Sequence, residues 1–445
     1  MCRSVKSEAR EQQPGDAVAI RLARCRERGG EAVAEATSVR LYGYRWVVLG
    51  VFSLINALVQ MNWITFAAVT GDAAAYYRVS ELEIGLLSMV FMIVFIIMSI
   101  PASYIIDTYG IRVGVGIGAV LTGVFGLTRG IWASDYTLVL VSQIGLAVGQ
   151  PFVMNAITKV GARWFPITER ATAAALPSLA QFIGIIVAMA ATPYLVSSFA
   201  MSGMLMAYGV ASMIGAVAAL VLIRERPVTA PSEADQMERF KVFEGLRHIL
   251  KQKDMLILLL LFFVGLGMFN AISTWIEQIV SPRGFGPEQA GVIGAVMVIG
   301  GILGAGILSV LSDRSRRRKP FLVMAVAGMA PGLVGLAFAA SYPLLLVSSF
   351  VFGFFMMSAY PLGFQYSAEI GYPAPESTSQ GIIVMAGQVS GILFILGMDA
   401  FKSDVTGSMA GSMLVFIALT TIVIALTGFL DESPMIRAER EKATV

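Results

Sequence analysis

Long apolar stretches alternate with short polar connections along almost the entire chain. About twelve of these stretches are roughly 20 residues long, the length that an α-helix needs to cross the hydrocarbon core of a bilayer. The predicted spans lie near 45–68, 84–106, 112–132, 136–160, 170–195, 199–223, 255–280, 289–311, 320–340, 342–366, 378–402 and 409–429. The pattern therefore predicts an all-α polytopic membrane protein with twelve transmembrane helices.

The positions of the basic residues predict the orientation of these spans. Hydrophobic residues make up 57% of the chain and charged residues only 14%, which is unlike a soluble domain. Of the 32 Lys and Arg residues, one side of the predicted bilayer holds only Arg78, Arg129, Arg283 and Lys402. By the positive-inside rule, both termini face the cytoplasm. We expect an integral protein of the plasma (inner) membrane.

Polar segments divide the chain into two bundles joined by a linker. The predicted parts are a cytoplasmic tail at 1–44, a six-helix bundle at 45–223, a cytoplasmic linker at 224–254, a second six-helix bundle at 255–430 and a tail at 431–445. Phe243, Leu246 and Leu250 recur at helical spacing, which predicts an amphipathic linker helix either at the membrane surface or in solution. The only cysteines, Cys2 and Cys25, lie in the first tail, so we expect no metal site and no cofactor.

The two predicted bundles repeat each other in sequence. Polar positions recur at a nearly constant offset of 206 or 207 residues on three pairs of spans. The pairs are Trp63 with Asn270, Asp107 with Asp313, and Gln181 with Gln388. Two parallel six-span repeats with a site between them describe the pseudo-symmetric major facilitator fold.

The connection after span 2 resembles the loop signature that major facilitators carry between spans 2 and 3. In the segment 101–112, Asp107 ends the span, Gly110 allows a tight turn and Arg112 follows it. Such an Asp can meet the positive N-terminus of a helix from the other half, so we predict a latch for the outward-facing state. Asp313 is its counterpart after span 8. The alternative is a charged turn at the membrane surface.

Amide side chains and Trp63 occupy positions inside the predicted spans. On the first span, Asn56, Gln60 and Trp63 are four and three residues apart and share one helix face. Further amides lie near the middles of spans 4, 5, 7 and 11. The candidate substrate-binding residues are Gln60, Trp63, Gln150, Gln181, Asn270 and Gln388. The alternative is that these amides only hydrogen-bond neighbouring helices to each other.

Two acidic residues lie toward the predicted outer mouth of this site. Glu277 is seven residues beyond Asn270, and Asp399 is eleven beyond Gln388. They either attract cations toward Trp63 or are ordinary interfacial charges. No charged residue is predicted at mid-bilayer, which disfavours multiply anionic substrates and proton relays. We expect a small cationic, zwitterionic or neutral substrate, surrounding lipids, no nucleic acid, no catalytic residues and a monomer.

The segment 360–373, followed by Glu376, Ser379, Gln388 and 391–394, resembles one major facilitator family. That family is the feline leukaemia virus subgroup C receptor-related transporters, associated with choline, ethanolamine and haem. Weaker similarity covers 45–54, the pair Asn62 and Trp63, 87–90 and 150–165. The resemblance implies a carrier that works by alternating access, and the lack of mid-bilayer relay groups favours a uniporter.

The resemblance also implies how the substrate is held. In choline-carrying members, a span 1 Trp and a span 7 aromatic enclose the quaternary ammonium, and glutamines on spans 4 and 11 complete the site. Trp63, Gln150 and Gln388 match this pattern, whereas Asn270 stands where those members place a Tyr. Losing that partner costs about 1 to 2 kcal/mol, so an ethanolamine-like primary amine suits Asn270 better than choline.

Three alternative functions stay open at this stage. A haem or porphyrin carrier is the first, although no predicted span contains His or Cys. A proton-coupled metabolite or drug exporter is the second, and it would need Glu277 or Asp399 to titrate. The third is a receptor or scaffold without transport activity.

Overall fold

The structure, a computed structural model, describes residues 42–166, 169–227, 249–371, 376–403, 405–434 and 437. Both cysteines, the predicted amphipathic helix up to residue 248 and most of the two tails lie outside the described residues. Within the described residues, the regular elements are helices, as the apolar stretches predict. The predicted boundaries of the tails and the linker stay predictions.

Seven helices form the first half of the described chain. They are α1 (Tyr44–Trp63), α2 (Thr70–Tyr77), α3 (Glu81–Tyr109), α4 (Ile111–Ile131), α5 (Tyr136–Met154), α6 (Ile157–Trp164) and α7 (Arg170–Leu222). The second half has α8 (Lys253–Thr274), α9 (Ile276–Val280), a 3₁₀ turn (Ser281–Arg283), α10 (Pro287–Ser315), α11 (Lys319–Phe338), α12 (Tyr342–Gly371), α13 (Glu376–Ala400) and α14 (Ala410–Thr427).

Helix α7 accounts for two crossings of the membrane. Eleven helices in the described part of the chain are long and apolar enough to span a bilayer, and α7 is by far the longest of them. Its backbone leaves helical geometry at Ala200, where φ is 58°. The two arms, 170–199 and 201–222, each exceed about 30 Å at 1.5 Å per residue. They correspond to the predicted spans 5 and 6. Counting α7 as two spans, the eleven helices give the twelve predicted spans.

Local sequence explains why several helices begin and end where they do. Ser80 caps α3 through a reciprocal pair of hydrogen bonds with Glu83, and Asp135 accepts two backbone N–H bonds at the start of α5. Gly110 joins α3 to α4 with a φ of 92°, and a Cβ atom there would lie 2.4 Å from the Glu225 carboxylate. A glycine is therefore required at this turn.

The two halves pack against each other mainly through two helix pairs, α7 with α10 and α3 with α13. A Cβ atom on Gly291 of α10 would lie 2.1 Å from the Met189 carbonyl oxygen of α7, which shows how closely these backbones approach. Both residues lie toward the ends of their helices near Ala200. We call this side of the molecule the Glu277 end, and the opposite side the Asp107 end.

Candidate functional site

Four buried amide side chains form one hydrogen-bonded chain inside the first half. Gln181 Nε2 on α7 donates to Asn56 Oδ1 on α1 over 3.0 Å, and Gln60 Nε2 donates back to Gln181 Oε1 over 3.4 Å. Gln150 Nε2 on α5 then donates to Gln60 Oε1 over 3.5 Å. The chain ends at Gln150 Oε1, which is buried and has no hydrogen-bond partner among the described residues. A buried acceptor without a donor is costly, so this atom can accept from a ligand.

Trp63 is the last residue of α1 and lies one turn beyond Gln60. Its side chain is 6% exposed, and its carbonyl oxygen accepts from Ser88 Oγ on α3 over 3.4 Å. The chain then forms turns over 64–69 before α2 begins. The candidate aromatic therefore lies at the junction between a long, packed helix and a short, separate one.

The second half contributes Asn270 and Gln388, both half-buried. Asn270 Nδ2 on α8 donates to the Gly387 carbonyl oxygen on α13 over 3.4 Å, next to Gln388. Gly391, one turn further, is contacted by Asn270 and by Met92 of α3, since a Cβ atom there would lie 2.8 Å from Asn270 Nδ2 and 2.7 Å from Met92 Sδ. The two halves thus meet beside Asn270.

Glu277 makes a contact between the halves. Helix α8 ends at Thr274, so Glu277 lies in the short helix α9 outside the spanning segments. Its Oε2 accepts from the backbone N–H of Gly71, at the start of α2, over 2.9 Å. Burial raises the pKa of Glu277 to about 7, against the opposing effect of the Gly71 N–H. The predicted mouth residue therefore lies at a closed contact.

Two further contacts between the halves lie at the Glu277 end. Lys402 of the second half forms an ion pair with Glu81 at the start of α3. The Trp275 ring packs on Gly85, where a Cβ atom would lie 3.0 Å from the indole. Asp399, the second predicted acidic residue, is half-buried near the end of α13. Together these contacts close the Glu277 end.

The predicted latch residues form contacts within one half. Asp107 Oδ1 pairs with Lys159 Nζ over 2.9 Å, and the backbone N–H of Arg112 donates to Glu225 Oε2 over 2.9 Å. In the second half, Asp313 pairs with Arg318. Every ion pair that the structure describes at the Asp107 end joins residues of the same half. The latch between halves therefore stays a prediction for another state.

Arg129 is a buried residue beside the candidate site that the sequence pattern did not predict there. The pattern placed it near the end of a span as an ordinary flanking charge, but its side chain is completely buried. Its guanidinium donates to Asn62 and Gln143, neither of which was a candidate. An Arg within an apolar stretch beside amides on neighbouring spans is the signal that could have found it.

The family model of the Major Facilitator Superfamily matches residues 52–395 of the chain. The chain belongs to the major facilitator superfamily. Major facilitators are transporters, not enzymes, so this one carries a small molecule across a membrane. The twelve-span fold and the predicted family are confirmed.

This major facilitator is similar to a member of solute carrier family 49 and to choline/ethanolamine transporters. Solute carrier family 49 member A3 of Danio rerio is 32% identical over 395 residues, covering 85% of this chain and 82% of the relative. The choline/ethanolamine transporter FLVCR1 of Felis catus is 27% identical, covering 90% and 75%. A bacterial homologue of the lysosomal transporter Spinster, solved in an inward-facing, unoccupied conformation, shares the fold at a TM-score of 0.69 and 15% identity, covering 87% and 97%.

Proposed function

We propose that this protein carries a small organic cation or amino alcohol, similar to choline or ethanolamine, by alternating access and as a uniporter. The single observation that carries the proposal is the buried Gln150 Oε1 at the end of the amide chain, which has no hydrogen-bond partner among the described residues. Gln60, its neighbour in that chain, lies one helix turn from Trp63. An ammonium or hydroxyl group can donate to this oxygen while the indole contacts the alkyl part or the cation.

The charges around the site support a substrate that is not an anion. Arg129 is a buried cation of the first half, but its Nη1 and Nη2 already donate to Asn62, Gln143 and Thr65, and only Nε lacks a partner among the described residues. The function of the relative FLVCR1, a choline/ethanolamine transporter, agrees with this chemistry. Asn270 supplies an amide where a second aromatic would favour a quaternary ammonium, so ethanolamine is the preferred substrate of the two.

The arrangement of contacts supports one orientation of the site. With the Glu277 end closed, we infer that the substrate reaches the site from the Asp107 end, which the positive-inside rule predicts to face the cytoplasm. In this proposal both termini are cytoplasmic, and the described conformation faces inward. Opening requires Glu277 to release Gly71 and Lys402 to release Glu81, while Asp107 moves from Lys159 to a partner in the other half.

The test is uptake of labelled ethanolamine and choline into proteoliposomes, with and without an imposed pH gradient. We expect saturable uptake that ignores the gradient, with a KM that rises about tenfold in Trp63→Ala and is unchanged in Trp132→Ala, at an exposed position on the C-terminal end of α4. Asn270→Tyr should raise choline uptake relative to ethanolamine by about tenfold. If neither amine moves in the wild type, the proposed substrate is wrong, and haem and proton-coupled export should be tested next.

A proton-coupled carrier is the second candidate, and Glu277 is the observation that favours it. A buried carboxyl group at a contact between the halves, with a pKa near 7, can bind a proton in one state and release it in the other. The two candidates differ in the same experiment. If the pH gradient drives uptake in the wild type but has no effect on uptake in Glu277→Gln, the protein is a proton-coupled carrier and not a uniporter.

A further inference from the structure

The C-terminus of α1 is buried, and its last carbonyl groups all have partners. The last carbonyl oxygens of a helix have no N–H donor within that helix, and burying them without another donor is costly. The Gln60 carbonyl oxygen accepts from the Ile64 N–H, and the Met61 carbonyl from Thr65 Oγ1. The Trp63 carbonyl accepts from Ser88 Oγ. Asn62 remains, and its carbonyl is bound from two other helices.

Arg129 of α4 and Gln143 of α5 both bind Asn62. Arg129 Nη1 and Gln143 Nε2 donate to the Asn62 carbonyl oxygen over 3.3 Å and 3.2 Å. Arg129 Nη2 also donates to Asn62 Oδ1 over 2.5 Å, and Nη1 donates to Gln143 Oε1 over 2.7 Å. Gln143 further donates to the Leu87 carbonyl oxygen of α3 over 3.1 Å. One cluster therefore ties α1, α3, α4 and α5 together.

The charge of Arg129 is matched by the end of α1. The guanidinium is fully buried, and within the described part of the chain it forms no ion pair. A helix C-terminus carries about half a negative charge, and that is where the guanidinium lies. The face of Phe66, just beyond the end of α1, lies 5.8 Å from the guanidinium carbon. The electrostatic role of Arg129 is thus to stabilise this helix end.

We propose that Arg129 and Gln143 are positioning residues for Trp63, and that they set substrate affinity by fixing the position of its indole. The proposal rests on the proposed function of Trp63 as the aromatic part of the site. The cluster holds the backbone of Asn62, the residue directly before Trp63, against three helices of the first half. The turns at 64–69 and the Gly71 contact with Glu277 lie on the other side of this anchor. Trp63 therefore keeps its place in the first half when the Glu277 end opens.

A purely structural role and a positioning role predict different results in a double-mutant cycle with Trp63→Ala. Arg129→Lys keeps the charge but loses the planar fork that reaches Asn62 and Gln143 together. If it acts through Trp63, KM for ethanolamine should rise about five- to tenfold with kcat within about twofold, and the rise should vanish in the Trp63→Ala background. Gln143→Met removes the donation to Asn62 but keeps Arg129, and it should also raise KM. This variant replaces Arg129→Lys in the cycle if Arg129→Lys fails to fold.

Arg283 provides the matched control. It also binds the carbonyl groups of a helix end, since it donates to the Leu336 and Ala339 oxygens at the end of α11. It lies in the 3₁₀ turn of the second half, and its described hydrogen bonds are all to residues of that half. Arg283→Lys should leave KM unchanged in both backgrounds, even if it lowers thermal stability as much as Arg129→Lys does.

A second readout needs no substrate. Protein labelled with 5-fluorotryptophan has five tryptophan resonances, and the one lost in Trp63→Phe identifies Trp63. Arg129→Lys and Gln143→Met should shift or broaden that resonance and leave Trp164 unchanged, whereas Arg283→Lys should not affect it. An unmoved Trp63 resonance, or a KM effect that persists without the indole, would overturn the proposal. If the wild type carries no amine, the proposed function fails, and the resonance alone decides the positioning role.

Discussion

Two buried charged residues, Arg129 and Glu277, are satisfied in opposite ways. Arg129 stays inside one half, where amide and carbonyl oxygens surround its guanidinium. Glu277 lies at a contact between the halves, where the backbone N–H of Gly71 binds its carboxylate. A charge that is satisfied within one half is indifferent to the motion between halves. A charge that is bound by the opposite half changes its environment when the contact between the halves breaks. The ionisation of Glu277 therefore affects the conformational equilibrium.

Closure at the Glu277 end should depend on pH through Glu277. Its pKa is raised to about 7 in the closed end and should return toward 4.5 when opening exposes it to water. The contribution to closure is therefore fully present below about 4.5 and is lost as the pH rises through about 7. We expect the distance between spin labels at Ser134→Cys and Ser341→Cys, one on each half at this end, to lengthen from pH 5 to pH 8. Cys2 and Cys25 are replaced by Ser for this measurement.

The control for this pH response is a second glutamate at the same end. Glu277→Gln mimics the protonated acid and should abolish the change with pH. Glu288→Gln, at an exposed position on the first turn of α10, should keep the wild-type response. An undiminished response in Glu277→Gln would show that another group at this end causes it.

At the scale of the elements, the halves contact each other through helix backbones that approach closely. Dispersion and packing drive the association of helices in lipid, so small residues at the contact matter more than apolar bulk. Gly291 on α10 lies against the Met189 carbonyl of α7, and Gly391 on α13 lies against Met92 of α3. The first pair stabilises closure at the Glu277 end, and the second borders the candidate site.

Gly291→Ala should open the Glu277 end. The added Cβ would lie 2.1 Å from the Met189 carbonyl oxygen, and a backbone atom cannot move aside as a flexible side chain can. We expect the same label pair to report a longer distance and a lower population of the closed form. Gly306→Ala, on the same helix with open space around it, should be neutral or stabilise the helix by up to about 1 kcal/mol. Equal effects of the two substitutions would contradict the role of α7 and α10 in closure.

At the scale of the whole molecule, the structure presents one of at least two conformations that a carrier needs. The contacts between halves lie at the Glu277 end, and the described ion pairs at the Asp107 end lie within a half. The latch residues are therefore available for contacts that the other conformation would make. The preference for one conformation is a difference in free energy between two sets of contacts. A substitution shifts this preference only if it changes the free energy of one conformation more than that of the other.

Asp107→Asn should shift the protein toward the conformation described here. The pair of Asp107 with Lys159 is largely exposed, since the Asp107 side chain is 73% accessible, and exposed pairs contribute about 0 to 1 kcal/mol. Losing the predicted latch in the other conformation should cost more. We expect the distances between the labels at Ser134→Cys and Ser341→Cys to narrow around the shorter value. The rate of uptake should fall. Asp431→Asn, which breaks another exposed pair at the same end, should change neither; a response as large as that of Asp107→Asn would argue against the latch.

Much of this protein could be predicted from sequence. The thickness of the bilayer fixes the length of apolar stretches, and internal hydrogen bonding of the backbone forces those stretches to be helical. The spans, the two halves and the family followed from that pattern and from repeated positions such as Gln181 and Gln388. Helical periodicity also placed Asn56 and Gln60 on one face, where the structure joins them through Gln181.

The sequence by itself thus determined which segments cross the membrane and which polar residues lie inside them. Only the tertiary structure decided their partners. Whether Arg129 flanks a span or anchors the end of α1, and whether Glu277 lines an open mouth or closes on Gly71, depends on residues 67 and 206 positions away in the chain. Hydrogen bonds at such separations are set by how helices pack and by which conformation is present. Periodicity along one helix contains neither of these facts.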